Sequence, residues 1–194
     1  MNRSGGLRTV SKSKGFDVDY KNWRENVSGL LSEIVEQRSL PPDYNCLGDE
    51  NANTFDFQSA GLPPKCVNQL TEFYAVCNGF KWTDIFNGYF LMPSSELGKV
   101  SHRYFPCKLK HADGSYSDVF MIGSKGGGEM FVVKVETGEI IMLPGSRFES
   151  DNVYDDWDDR TTCVASDFDV FLDVLLSDLT AYVKGDLDHQ FIGR

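Results

Sequence analysis

The residues of this chain that could bind or react with a ligand are sparse, and the most suggestive group is the glycine-rich segment Ile122 to Glu129, IGSKGGGE. A phosphate-binding loop needs a strand before the glycines and a helix after them, so that backbone N–H groups and the helix dipole meet the anion. Here the following residues, Met130 to Val135, predict another strand, and the G-K-[ST] ending is absent. We therefore interpret the segment as a turn between two strands and predict no cofactor.

Nucleophilic catalysis would need a serine or cysteine with a histidine base and an orienting acid. The chain has three histidines, His102, His111 and His189, and no G-x-S-x-G elbow surrounds a serine. We expect the histidines to be exposed polar residues and predict no catalytic residue. An enzyme would depend on His102, His111 or a cysteine. The five cysteines contain no C-x-x-C pair and no zinc-ligand spacing, so we predict no metal site.

A third group is an acidic run with two aromatic residues inside it: Asp151, Tyr154, Asp155, Asp156, Trp157, Asp158 and Asp159. The run lacks the ligand spacing of a calcium-binding EF-hand loop. Two interpretations stay open. The run is a solvated loop with Trp157 tucked into the core, or it is a partner-binding surface. In the second case the acids attract a basic protein, and Tyr154 or Trp157 is the anchor that the partner buries.

The net charge of −10 favours a basic partner, because it is concentrated in one region. Residues Glu149 to Asp188 carry twelve acidic and two basic residues, whereas the rest of the chain is balanced. Such a field repels nucleic acid and anionic membranes, so we predict neither as a partner. No apolar run is long enough to cross a bilayer.

The length of 194 residues indicates one domain. We predict a flexible, basic tail over residues 1–15 and a single domain over residues 16–194. No apolar stretch follows the basic residues of the tail, so we expect no secretory signal and a cytoplasmic location with reduced cysteines.

Three amphipathic helices are predicted. The first spans Asp19 to Gln37. The second begins at Pro63 and Pro64, buries a face that includes Cys66 and Cys77, and ends at Asn78-Gly79. The third is capped by Ser166 and ends at Lys184-Gly185.

Four strands are predicted, at Tyr89 to Met92, Asp118 to Ile122, Met130 to Val135 and Ile140 to Leu143. Thr137-Gly138 joins the last two as a hairpin. Asp43 to Ala60 is interpreted as a loop with one short strand, and Glu149 to Arg160 as an irregular acidic loop. The predicted fold class is α+β: one antiparallel sheet of about four to six strands with helices packed around it.

The order of these motifs resembles the SUKH superfamily. The resemblance covers Leu62 to Val183 and depends on five short motifs: Leu62-Pro63; Leu70-x-x-Phe73-Tyr74-x-x-x-Asn78-Gly79-Phe80; Ile122-Gly123 with Gly126 to Gly128; the Val132 to Met142 hairpin; and Val164-Ala165-Ser166-Asp167-Phe168-x-x-Phe171-Leu172. The family places an acidic helix shortly before the Leu-Pro step, whereas this chain has a loop-like stretch there.

The resemblance implies a protein that binds other proteins and has no catalytic residues. The leading hypothesis is a cytoplasmic immunity protein that binds and neutralises a basic protein toxin, which the resemblance implies is often a nuclease. The alternative is a non-catalytic regulatory scaffold that binds signalling or cell-wall-synthesis proteins.

Overall fold

A computed structural model describes residues 18–41, 43–99, 105–145, 147–186 and 188–193. The predicted tail over residues 1–15 and His102 lie outside these ranges. The helices are α1 (Tyr20–Arg38), α2 (Pro64–Val76) and α3 (Phe168–Lys184). The strands are β1 (Asn45–Leu47), β2 (Phe80–Trp82), β3 (Tyr89–Leu91), β4 (Lys108–His111), β5 (Tyr116–Lys125), β6 (Met130–Lys134), β7 (Ile140–Leu143), β8 (Phe148–Ser150), β9 (Val153–Asp156) and β10 (Thr162–Ala165). Phe57–Ala60 and Ser94–Glu96 form short 3-10 helices.

The strands form one curled sheet in the order β1-β2-β3-β5-β4-β9-β8, and β6, β7 and β10 branch from β5. Strands β4 and β9 pair in parallel, and the other described pairs are antiparallel. The α+β class is confirmed, but the prediction of four to six strands is wrong, because the sheet has ten. The missed strands β2, β4, β8, β9 and β10 have only three or four residues each, too few to show the alternation that identifies a strand.

The long strand β5 connects the two parts of the sheet. Its first residues pair with β4, its last residues pair with β3, and β6 pairs along its middle. A Cβ atom on Gly123 would lie 2.3 Å from the carbonyl oxygen of Phe90 in β3. Only glycine therefore permits the two backbones to approach this closely. The Gly-rich segment after Gly123 is the predicted turn between two strands, β5 and β6.

The three helices cover one face of the sheet. The predicted periodicity of α1 is confirmed, because Trp23, Val27 and Ile34 are buried on one stripe. The indole N–H of Trp23 donates to the carbonyl of Leu172 in α3, at 3.1 Å. None of the described helices combines the length and apolar character needed to span a membrane.

A second, smaller core lies on the opposite face of the sheet. It contains Leu109, Val119, Met130, Val132, Ile141, Leu143 and Tyr154. All four residues of β7 are buried, since the helices cover one of its faces and the curled β4-β9-β8 part contributes to the core on the other. Tyr154 of β9 is therefore a core residue.

Two predicted helix ends need correction. The C-cap of α2 is Cys77 in an extended conformation, so the left-handed Gly79 (φ 78°) lies in the loop beyond the helix. The N-cap of α3 is Asp167, whose carboxylate accepts from the Val170 N–H at 3.1 Å, and not Ser166. Gly185 ends α3 in the left-handed conformation, as predicted.

Candidate functional site

The acidic run is not an irregular loop, as predicted, but the hairpin β8–β9 and the turn that follows it. Asp151 is exposed in the turn before β9, whereas Trp157 directly follows the last residue of β9. These two residues are therefore separated by at least the length of the strand, roughly 13 Å for four residues. The run is divided between two ends of β9.

Tyr154 and Asp156 lie inside the protein, at 0% and 1% exposure. The Tyr154 hydroxyl donates to the carbonyl of Pro144 at 2.6 Å, and burial raises the pKa of this phenol. The Asp156 carboxylate accepts from the Arg160 N–H at 2.9 Å and from the Thr161 hydroxyl at 2.7 Å. Neither side chain is available to a partner, because the first is a core residue and the second organises the turn.

Asp158 is neutralised by arginine. It forms ion pairs with Arg147 and with Arg160, the latter at 2.8 Å between Nε and Oδ2. Its side chain retains only 20% exposure. Asp158 therefore supplies little of the negative field predicted for the run.

Trp157 is the most exposed of the large hydrophobic residues that the structure describes, at 64%. The core interpretation of Trp157 is wrong, because the indole lies outside on the turn after β9. The guanidinium of Arg147 lies over its ring, 5.5 Å from the centroid, and Asp158 fixes the same guanidinium. Trp157 is thus exposed on one side of its ring and makes a cation–π contact with the ion-paired Arg147 on the other.

Further side chains lie on the strands beside Asp155, which precedes Trp157 by two residues. Strand register places Tyr116 of β5 beside Lys110 of β4, and Lys110 beside Asp155 of β9, so the three share one face. Tyr116 is 55% exposed, Asp155 is half-buried, and Asp159 is exposed in the turn. We name this surface the Trp157 face and define it as Lys110, Tyr116, Asp155, Trp157 and Asp159.

The charge is less segregated in space than in sequence. Basic residues from the balanced part of the chain reach the acidic region: Lys110 pairs with Glu149, Arg147 with Asp158, and Lys65 with Asp167. Asp155 and Asp159 take part in none of the ion pairs between residues that the structure describes. The remaining negative charge of the Trp157 face therefore comes from two of the five predicted aspartates.

His111 and His189 are half-buried and bonded, so the prediction of exposed histidines is wrong for both. His111 Nε2 lies 2.7 Å from the hydroxyl of Ser117, which is the distance of a nucleophile and its base. The nearest acid in the strand register is Asp156, but Thr161 and backbone N–H groups occupy its carboxylate. The pair joins two neighbouring strands, and no orienting acid completes it among the described residues.

The cysteines and acids were also candidates for reactivity or metal binding. Burial raises the pKa of the Cys66 thiol to about 12 and that of Cys77 to about 11, so both are protonated at neutral pH. Within the described ranges, no group of three or more histidine, cysteine or acidic side chains is arranged to hold a metal ion.

Two buried charges were missed by the sequence interpretation. Asp178 in α3 is 1% exposed and Lys125 in β5 is 3% exposed. A signal was present, because Asp178 falls between Leu175 and Leu179 on the apolar stripe of its helix. A charged residue at such a position indicates a buried polar partner.

Comparison with known proteins leaves the family untested. A scan against family models, a search of curated proteins and a search of solved structures each return no match to this chain. The resemblance to the SUKH superfamily therefore stays a prediction.

Proposed function

We propose that this chain is a cytoplasmic immunity-type protein that binds a basic protein toxin, in the favoured case a nuclease, through the Trp157 face. The observation that carries the proposal is Trp157 itself, 64% exposed and held over Arg147. Tryptophan is enriched among the residues that dominate binding energy at protein interfaces. An anchor already held in place loses little conformational freedom when the partner buries it.

Charge supports a basic partner. Asp155 lies two residues before Trp157, and Asp159 lies two residues after Trp157. Carboxylates therefore lie on both sides of the anchor in the chain. A nuclease needs a basic surface to bind phosphates. An acidic surface around an apolar anchor attracts such a protein electrostatically, and its bound position excludes the nucleic acid.

The experiment begins with co-expression of this chain and the product of the gene adjacent to its own. The proposal predicts that the two proteins co-purify and that this chain suppresses the toxicity or nuclease activity of the neighbour. Co-purification without inhibition would favour the regulatory scaffold instead. If the two proteins do not associate, the neighbour is not the toxin and the immunity proposal loses its partner.

A matched pair of variants assigns the association to the surface. Trp157→Ala removes the anchor, whereas Tyr44→Ala removes an exposed aromatic residue (39% exposed) that directly precedes β1, at the other end of the sheet order. Loss of co-purification in the first variant and its retention in the second would support the Trp157 face. Equal behaviour of the two would assign binding elsewhere.

A further inference from the structure

Residues 188–193, which we name the strap, follow α3 and bond to Lys125, the last residue of β5, and to Asp178 in the middle of α3. The buried carboxylate of Asp178 accepts hydrogen bonds from three sides. It accepts from the Tyr89 hydroxyl at 2.6 Å, from the Ile192 backbone N–H at 3.0 Å, and it lies 2.7 Å from His189 Nε2. Two of these three partners belong to the strap.

The buried ammonium of Lys125 binds the same residue of the strap from the other side. Its Nζ donates to the Ile192 carbonyl at 2.7 Å. Asp178 and Lys125 thus bind the N–H and the C=O of one residue, which is recognition of peptide backbone by buried side chains of opposite charge. We name the arrangement of Tyr89, Lys125, Asp178 and Phe86 the socket.

Side chains of the strap complete the contact. The Phe191 ring stacks on Phe86 with a centroid distance of 4.9 Å and an angle of 2° between the planes. Ile192 is 8% exposed and packs with the main core. Phe86 has φ 53°, a conformation that a bulky residue rarely adopts and that is retained where the surroundings require it.

The outer side of the strap borders open space. A groove of about 440 Å³ lies between residues 190–193 on one wall and Val174 of α3 and residues 162–164 of β10 on the other. Strand β10 pairs only with β7 among the described strands, so its other edge is free. The strap is therefore held by the socket and also lines this groove.

We propose that the socket is a peptide-binding site for a segment with an adjacent aromatic and aliphatic residue, and that the strap fills it as a separable ligand within the chain. Without such a segment, Asp178 and Lys125 would be buried charges that lack their backbone partners, which is unfavourable. The socket therefore favours occupancy, either by the strap or by a segment of the same chemistry. The proposal does not depend on the Trp157 face.

The test uses the full chain with a protease recognition sequence inserted after Asp186. We expect that, after cleavage, the strap peptide still elutes with the body of the protein in size-exclusion chromatography. An excess of a labelled synthetic peptide with the sequence of residues 188–194 should then replace it in a saturable manner. A peptide with Phe191→Ala and Ile192→Ala should compete at least tenfold less well, and Asp178→Asn in the body should accelerate release at least tenfold.

Two results would overturn the proposal. One is immediate loss of the cleaved peptide from a body that keeps its circular dichroism spectrum. The other is a retained peptide that never exchanges with the labelled one, because the strap would then be a fixed part of the core. If the insertion prevents folding, hydrogen exchange on the unmodified chain decides the question. The Ile192 amide should exchange at least tenfold faster than core amides of α3, and equal rates would contradict a separable strap.

Discussion

At the scale of single residues, neighbours in the acidic run have opposite roles. Asp156 is buried and binds the turn, whereas Trp157 beside it is 64% exposed. The sequence showed that two aromatic residues lie among acidic ones here, but it did not show which of them face the core. That outcome depends on the pairing of β9 with β4, a contact between segments more than 40 residues apart. Residue type was predictable, and orientation was not.

Asp156→Ala should lower the free energy of unfolding by about 2 kcal/mol, because the Thr161 hydroxyl and two backbone N–H groups lose their buried acceptor. Asp155→Ala is the matched control, and it should change the free energy by less than about 0.5 kcal/mol, since that side chain is half-exposed. Urea denaturation followed by circular dichroism measures both. Equal effects would show that Asp156 does not organise the turn.

The cysteines should differ in reactivity toward Ellman's reagent at pH 8. Cys66 and Cys77 are buried with pKa values raised to about 12 and about 11, so they should react only when the protein unfolds. Cys163 is exposed and should react in the native protein. Cys163→Ser should remove the fast phase. Native-state labelling of Cys66 at the rate of Cys163 would contradict the buried face of α2.

At the scale of elements, predictability followed length and periodicity. The three helices and strands β3, β5, β6 and β7 were predicted, because each gives a repeat of apolar residues or a turn signal at its end. Strands β8 and β9 were interpreted as a loop, since they have only three and four residues and half of β9 is aspartate. Their pairing stabilises them despite their composition. The candidate surface lies on these missed elements, which is why its shape was not predictable.

The N-terminus of α3 should show a pH-dependent contribution to stability from Asp167. Partial burial raises the pKa of this carboxyl, but hydrogen bonds from Lys65 and the Val170 N–H outweigh it, so the folded-state pKa lies below the ordinary value of 3.8. A lowered pKa in the folded state stabilises the protein above pH 3.8, and the stabilisation is lost as the pH falls through the folded-state value.

Asp167→Asn tests this contribution, because asparagine retains the N-cap hydrogen bond and removes the charge that pairs with Lys65. We expect a loss of about 0.5 kcal/mol in the free energy of unfolding at pH 7, since the Lys65 side chain is largely exposed and solvent screens the pair. The difference from the unmodified protein should disappear near pH 2. A difference that stays constant with pH would exclude the ionic contribution.

At the scale of the whole molecule, the sequence predicted an acidic region and the structure redistributes its charge. Lysine and arginine side chains from other segments pair with Glu149, Asp158 and Asp167. The acidic residues of 149–188 and the basic residues of the other segments therefore share surface, although they are separate in the sequence. The negative potential available to a partner at the Trp157 face depends on Asp155 and Asp159.

This placement predicts how association depends on salt. The double variant Asp155→Asn with Asp159→Asn should slow association with the toxin severalfold at low ionic strength and reduce the dependence on salt. Asparagine tolerates the positive φ of 49° at position 159, so the fold should be retained. Asp186→Asn with Asp188→Asn changes the net charge equally at other exposed positions. If both double variants slow association equally, net charge and not the Trp157 face determines the rate.

The most direct test of the proposed function is the dissociation constant of the toxin complex for Trp157→Ala compared with Tyr44→Ala. Both changes remove an exposed aromatic side chain, and neither should shift the melting temperature by more than about 2 °C. An anchor predicts at least a tenfold weaker complex for Trp157→Ala, through faster dissociation, and no change for Tyr44→Ala. An unchanged dissociation constant for Trp157→Ala in a folded protein would contradict the account.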